Sequence, residues 1–288
     1  MNVGLLLGIV ANVLGGTTYV LMKLALAGYP PATLTAVRLA IGVPLLWWST
    51  SSGWRERATR ADRVRLALIG SIGLALPLLI GVIGLAESDA ISAAILIGLE
   101  PVSIVVLARL FLGEELRAGQ GAGVVFALLG AAVVISRGDL DAMLRFEGST
   151  RGAVLLALQG CLWAVYTVLA KPTLVRVPAP VVAAVSSSIA LALVAPASAI
   201  EWGTLDWARM TAPVPLAALL ALALFGTYLG TVLWNRALSL ITATQMAVLV
   251  FIQPLVGTAL GALIGEPLHP SLIPGALLVF GGVWLSRR

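Results

Sequence analysis

The chain has 288 residues, of which 60% are apolar, 11% charged and 30 glycine, far from the soluble average of about 45–50% apolar and about 25% charged, and this excludes a water-soluble domain. A mean hydropathy of +1.04 and uncharged runs of roughly 20 residues describe an integral membrane protein, because a hydrocarbon core of about 30 Å needs a helix of that length. The runs are apolar all round and lack the alternation of membrane barrel strands, so the expected class is all-α.

Breaks at charged, proline and turn clusters divide the chain into ten apolar segments, 3–27, 31–50, 66–86, 90–111, 119–136, 152–173, 178–200, 214–236, 241–264 and 271–286. The start, Met1-Asn2-Val3, has no basic residue before the first run, which argues for a retained helix rather than a cleaved signal. The lone Cys161 lies inside a run and belongs to no spaced thiol pattern, so disulfide and zinc readings have no support. The net charge is +5, but the basic residues sit in short loops and make no nucleic-acid face.

Their distribution instead reads as topology. With the N-terminus inside, the inner side carries Arg55, Arg57, Arg60, Arg63, Arg65, Arg109, Arg117, Lys171, Arg176, Arg236, Arg287 and Arg288, against Arg137, Arg145, Arg151 and Arg209 outside. That asymmetry places both termini in the cytoplasm. Trp47, Trp48, Trp54, Trp202, Trp207, Trp234 and Trp284 fall near segment ends, as interfacial aromatics do, and Trp163 alone falls at mid-membrane.

The two halves resemble each other. Lys23 aligns with Lys171 and Pro30 with Pro178. Ala90, Ala94, Leu96 and Pro101 align with Ala243, Ala247, Leu249 and Pro254, and both runs continue to a Gly-Glu pair, Gly113-Glu114 and Gly265-Glu266. Gly123 and Gly130 match Gly275 and Gly282. A duplication predicts two five-helix units, 1–137 and 151–288, joined by an outer loop at 138–150. Because five is odd, the second unit enters the membrane from the opposite side, the inverted framework of alternating access.

The sequence resembles the drug/metabolite transporter superfamily, in its ten-helix branch of two EamA-type domains. The likeness is carried by Gly16 and Lys23, Arg38, Pro101 with Leu112-Gly113-Glu114, Trp163-Ala164, Pro254 and Ile264-Gly265-Glu266. Within that branch it is most similar to bacterial exporters of aromatic amino acids, the YddG type. Gly15 and Glu100 depart from the pattern, standing where tryptophan and an uncharged residue are common. The resemblance implies a bacterial inner (plasma) membrane exporter of small solutes, amino acids including aromatic ones. It implies no cofactor or metal, and the sequence requires no oligomer.

Three ionisable residues fall at membrane depth, where each costs about 2.5–3.5 kcal/mol on insertion scales. Lys23 either snorkels to the outer interface or serves the solute pathway. For Arg38 the family resemblance implies a role in bundle packing, with solute binding the alternative. Glu100 precedes the helix-perturbing Pro101, and an ion pair with a basic residue is expected there ahead of a proton relay. Gly8, Asn12, Gly15, Gly16, Tyr19 and Lys23 share one helical face, suited to close packing or to cavity lining. Gln159, Trp163 and Tyr166 share another. With Tyr228, Thr231, Gln245 and Gln253 from the second half, these predict an aromatic-lined midplane pocket, with Pro101 and Pro254 as helix breaks, while ordinary bundle packing remains the competing reading.

Enzyme chemistry has little to rest on: His269 is the one histidine, and no P-loop, His-Glu-x-x-His or Gly-x-Ser-x-Gly motif occurs. A channel's repeated polar rings are missing. An exporter of lipophilic cations is the nearer rival and would use Glu100 as its membrane-embedded carboxylate.

Overall fold

The computed structural model describes residues 3–50, 58–90, 96–113, 150–266 and 270–286, with the single positions 53, 93, 122, 125, 126, 129, 130, 133 and 268. Among the described residues every regular element is helical. In chain order the long helices are α1 (Val3–Leu26), α2 (Pro31–Trp48), α3 (Arg60–Ala86), α4 (Leu99–Leu112), α5 (Thr150–Thr173), α6 (Ala179–Ile200), α7 (Pro213–Leu240), α8 (Ala243–Leu263) and α9 (Leu272–Ser286). Seven of these, all but α4 and α9, are long and apolar enough to cross a membrane. The expected fifth segment is helical at positions 122, 125, 126, 129, 130 and 133. The rest of it lies outside the described residues, as do Glu114, most of the 138–150 loop, His269 and the basic residues Arg55, Arg57, Arg117, Arg137, Arg145, Arg287 and Arg288.

Helix starts follow local chemistry. Proline opens α2, α6 and α7, where its missing N–H is no loss. The third helix begins at Arg60, ahead of the apolar run, because Thr59 and Asp62 form a capping box that carries the helix through its basic first turn. A second box, Thr242 with Gln245, opens α8. Left-handed glycines, Gly113 (φ 71°) and Gly265 (φ 85°), follow α4 and α8, as helix ends favour.

Two helices contain wider π-helical stretches, Ser71–Ala75 in α3 and Leu222–Gly230 in α7. Two others are interrupted ahead of proline. Before Pro101 the Glu100 amide bonds the Ile97 carbonyl at 2.8 Å, and before Pro254 the Gln253 amide bonds the Val250 carbonyl at 2.9 Å, the same tight turn twice.

Packing interleaves the halves. Helix α1 lies against α7 and α8, α5 against α3 and α4, and α2 against α6. Two buried-end lysines serve equivalent helix ends. Lys23 Nζ donates to the Leu85 carbonyl at 3.2 Å and to that of Ser88, where α3 stops. Lys171 Nζ donates to Leu238 at 2.7 Å and Ile241 at 2.6 Å, where α7 stops. A cation there meets carbonyls that the helix's own ladder leaves short of regular partners, and the negative end of the helix dipole, so Lys23 ties α1 to α3 rather than merely snorkelling.

Polar contacts gather at two ends of the bundle. At one, the Glu201 carboxylate accepts from the Ala32 and Thr33 amides, Tyr29 donates to the Met210 carbonyl, Arg151 pairs with Glu87, and Glu266 accepts from the Ala90 amide. At the other, Arg176 forms a two-pronged pair with the fully buried Asp62 at 2.7 and 2.8 Å. Between them the outer faces are apolar and exposed, as at Leu6, Val10, Ile72, Leu76, Leu220 and Leu255, which suits lipid contact.

The close α1–α8 approach can be tested. A Cβ on Gly16 would stand 2.7 Å from Val256 Cβ and 2.8 Å from the Gln253 carbonyl oxygen. Neither is the end of a flexible side chain, so Gly16→Ala is expected to destabilise the protein by about 1–3 kcal/mol through overpacking. A thermal-unfolding assay of the purified variant in detergent should show a clear loss of melting temperature, and an unchanged value would contradict the packing.

Candidate functional site

A cavity opens among helices α1–α8 and takes residues from all eight of them, a concave site of the kind that holds small molecules. From α5 it receives Gln159, Trp163 and Tyr166. Helix α1 contributes Gly15, Thr18 and Tyr19, and α7 contributes Thr227, Thr231 and Trp234. Arg38 from α2, Glu100 from α4, Ser187 from α6 and Gln253 from α8 complete its polar surface.

The aromatic wall is built on α5. The Trp163 and Tyr166 rings meet edge to face, with centroids 6.0 Å apart and planes at 61°. Tyr166 is 1% exposed, and its hydroxyl accepts from Asn235 Nδ2 at 2.6 Å, which fixes the ring. Trp163 is half-buried, with one side on the cavity and the other on the apolar core. A π-face beside polar groups is a surface suited to a flat solute.

Of the residues singled out from sequence, Trp163, Tyr166, Gln159, Tyr19, Arg38 and Glu100 line this cavity. Asn12 stands just behind. It is fully buried, bonds the Gly8 carbonyl at 2.8 Å, and accepts from Gln253 Nε2 at 2.8 Å, so it holds Gln253 in place. Pro101 and Pro254 lie directly after Glu100 and Gln253, so both interruptions aim the preceding side chain inward.

Two residues lie elsewhere. Tyr228 packs against Leu46, Ala183 and Ala184. On α7 the cavity face is set by Thr227, Thr231 and Trp234, and Tyr228, the next residue along the π-helical stretch, is turned to an adjacent face. Gln245 is exposed in the first turn of α8, where its Oε1 accepts from the Thr242 amide at 3.0 Å. It caps the helix at the membrane boundary and does not reach the midplane.

The charges also differ from expectation. Among the described residues Glu100, 3% exposed, forms no ion pair. The basic group that shares its cavity, Arg38, instead donates from Nε to Thr227 Oγ1 at 3.1 Å and contacts Met22 Sδ at 3.6 Å.

Trp234, Thr227 and Ser187 were absent from the expected site. Trp234 looks interfacial when the eighth segment is ended at residue 236, but α7 runs on to Leu240 and carries the indole deeper. Its spacing of three and seven from Thr231 and Thr227 was the available signal. Ser187 Oγ is buried without a hydrogen-bond partner among the described residues.

Several interleaved spanning helices around one central cavity define a multi-pass membrane protein. The profile of the EamA-like transporter family matches residues 2–136 and again residues 150–288, and the chain belongs to that family. It is therefore a transporter rather than an enzyme. Among relatives, it is 25% identical to an uncharacterized transporter, YyaM, of Bacillus subtilis (strain 168), over 94% of this chain and 89% of the other. It is 29% identical to a probable terminal-alkyne amino-acid exporter of Streptantibioticus cattleyicolor, over 93% and 88%. A solved crystal structure superposes with a TM-score of 0.70 at 22% identity, covering 100% of this chain and 99% of the other, a likeness of fold.

Proposed function

We infer that the protein is a ten-helix exporter of small metabolites, amino acids including aromatic ones, working by alternating access around the central cavity. The observation that carries this reading is the edge-to-face pair Trp163–Tyr166 on the wall of a cavity to which both halves contribute. The amino-acid exporter among its relatives adds support for the solute class. Trp163 and Tyr166 meet the solute side chain, with Gln159, Tyr19 and Gln253 as polar partners and Asn12 supporting Gln253.

Two inverted five-helix units, 1–137 and 151–288, account for the matched features of the halves. Lys23 and Lys171 serve equivalent helix ends, the turns before Pro101 and Pro254 agree, and the first helix of each unit packs on the third and fourth of the other. The Asp62–Arg176 end gathers the basic loops and is the cytoplasmic face of a bacterial inner membrane. Export of lipophilic cations is the second reading, favoured by the unpaired Glu100 carboxylate in the cavity.

Replacing Trp163 by Ala removes an aromatic contact of about 0.5–1.5 kcal/mol. In proteoliposome counterflow, transport of labelled phenylalanine should weaken by roughly two- to tenfold more than that of threonine. Equal loss for both, per folded protein, would remove Trp163 from the solute site. For orientation, a cysteine at Gly203 in a Cys161→Ser background should react with an impermeant thiol reagent in intact cells, and one at Ser239 should not. The reverse labelling would overturn the assigned sides.

A further inference from the structure

Two formal charges line the cavity, and they leave each other unpaired. Arg38 is 7% exposed and spends its guanidinium on neutral partners, the Thr227 hydroxyl and the Met22 sulfur. Glu100 is 3% exposed and, among the described residues, its carboxylate forms no hydrogen bond or ion pair. Opposite charges held apart in an apolar surround each bear a desolvation cost that a mutual pair would relieve. Both groups face one cavity, and among the described residues neither is matched there by an opposite charge.

The internal repeat matches both charges with neutral residues. The register that places Pro101 on Pro254 places Glu100 on Gln253, and the one that places Lys23 on Lys171 places Arg38 on Ser186. In the second half the equivalent of Glu100 is a neutral amide already bonded to Asn12 at 2.8 Å. The counterpart of Asn12 is Gly160, which has no side chain to offer and lies against this turn, where a Cβ would stand 3.3 Å from the Leu96 carbonyl oxygen and 3.4 Å from the Glu100 amide nitrogen. Where one half supplies a partner side chain, the other has none and leaves the carboxylate facing the cavity.

The geometry points to a zwitterion head-group site, in which Glu100 takes the ammonium and Arg38 the carboxylate of one solute, with its side chain against Trp163. This rests on the cavity being the solute site, and it narrows the solute to molecules carrying both charges. A lone cation would satisfy Glu100 and leave Arg38 as it is. A lone anion would do the reverse. Only a molecule with both groups relieves both, and the net charge of the filled site stays zero. Arg38 suits the carboxylate because its planar fork matches two oxygens at once.

The test is a binding matrix on the purified full-length protein in nanodiscs, with L-phenylalanine, phenethylamine and 3-phenylpropanoate as probes. The wild-type protein should bind phenylalanine at least about tenfold more tightly than either analogue, the scale of one charge-assisted contact. Glu100→Gln installs the amide found at the equivalent position and should fold. It should weaken phenylalanine and phenethylamine by about tenfold or more and leave phenylpropanoate unchanged. Arg38→Gln should weaken phenylalanine and phenylpropanoate and spare phenethylamine. If Arg38→Gln does not fold, the wild-type and Glu100→Gln rows decide alone. Phenethylamine binding as tightly as phenylalanine, or Glu100→Gln weakening all three ligands in proportion, would overturn the head-group site while leaving the cavity as an aromatic solute site. Wild-type protein that binds none of the three would refute the amino-acid reading itself.

Discussion

Inside a bilayer every backbone amide and carbonyl has to find its partner within the protein, and a proline removes one amide from that account. Pro101 and Pro254 each do so in a helix that faces the cavity. The chain answers with a tight turn just upstream, Ile97 to Glu100 and Val250 to Gln253, before the helix resumes. Both turns bring a polar side chain to the cavity surface at mid-bundle. Without the interruptions, α4 and α8 would run as regular helices and these two side chains would face elsewhere.

The interleaved packing makes that cavity a shared property of the halves. Helix α1 lies with α7 and α8, and α5 with α3 and α4, so a movement of either half carries cavity-lining groups of both. Small residues allow these close approaches. At Gly81 a Cβ would stand 2.3 Å from Gln159 Cδ, so a side chain there would displace the amide that α5 offers the cavity. The π-helical stretch in α7 places Gly226, Thr227 and Gly230 along the cavity. Widened turns of this kind occur often at functional sites, where they loosen a helix without ending it. At the two bundle ends, the lysine caps and the Glu201 and Asp62 clusters bind neighbouring helix ends to one another.

Much of this was legible in the sequence because membrane helices are written in composition. The apolar runs located α1, α2, α6 and α8 to within a few residues, and the spacing of Gln159, Trp163 and Tyr166 placed them on one wall of the cavity. Helix ends were less legible. Thr59 and Asp62 start α3 in a polar stretch through a reciprocal cap, a signal that hydropathy does not contain. The longer α7 moved Trp234 from the interface to the cavity. Gln245 looked like a buried polar group until the cap it makes with Thr242 accounted for it. The ion pair expected at Glu100 is not formed among the described residues: charge at membrane depth demands compensation, but sequence does not say whether the protein or a solute supplies it.

The central claim is that one solute binds between α5 and the proline-interrupted helices. An experimental structure with 4-bromo-L-phenylalanine, read by the anomalous signal of the bromine, tests it directly. The account predicts a bromine peak in van der Waals contact with Trp163, with the head group toward Glu100 and Arg38. A peak outside the bundle, with the Trp163 wall vacant at saturating ligand, would contradict it.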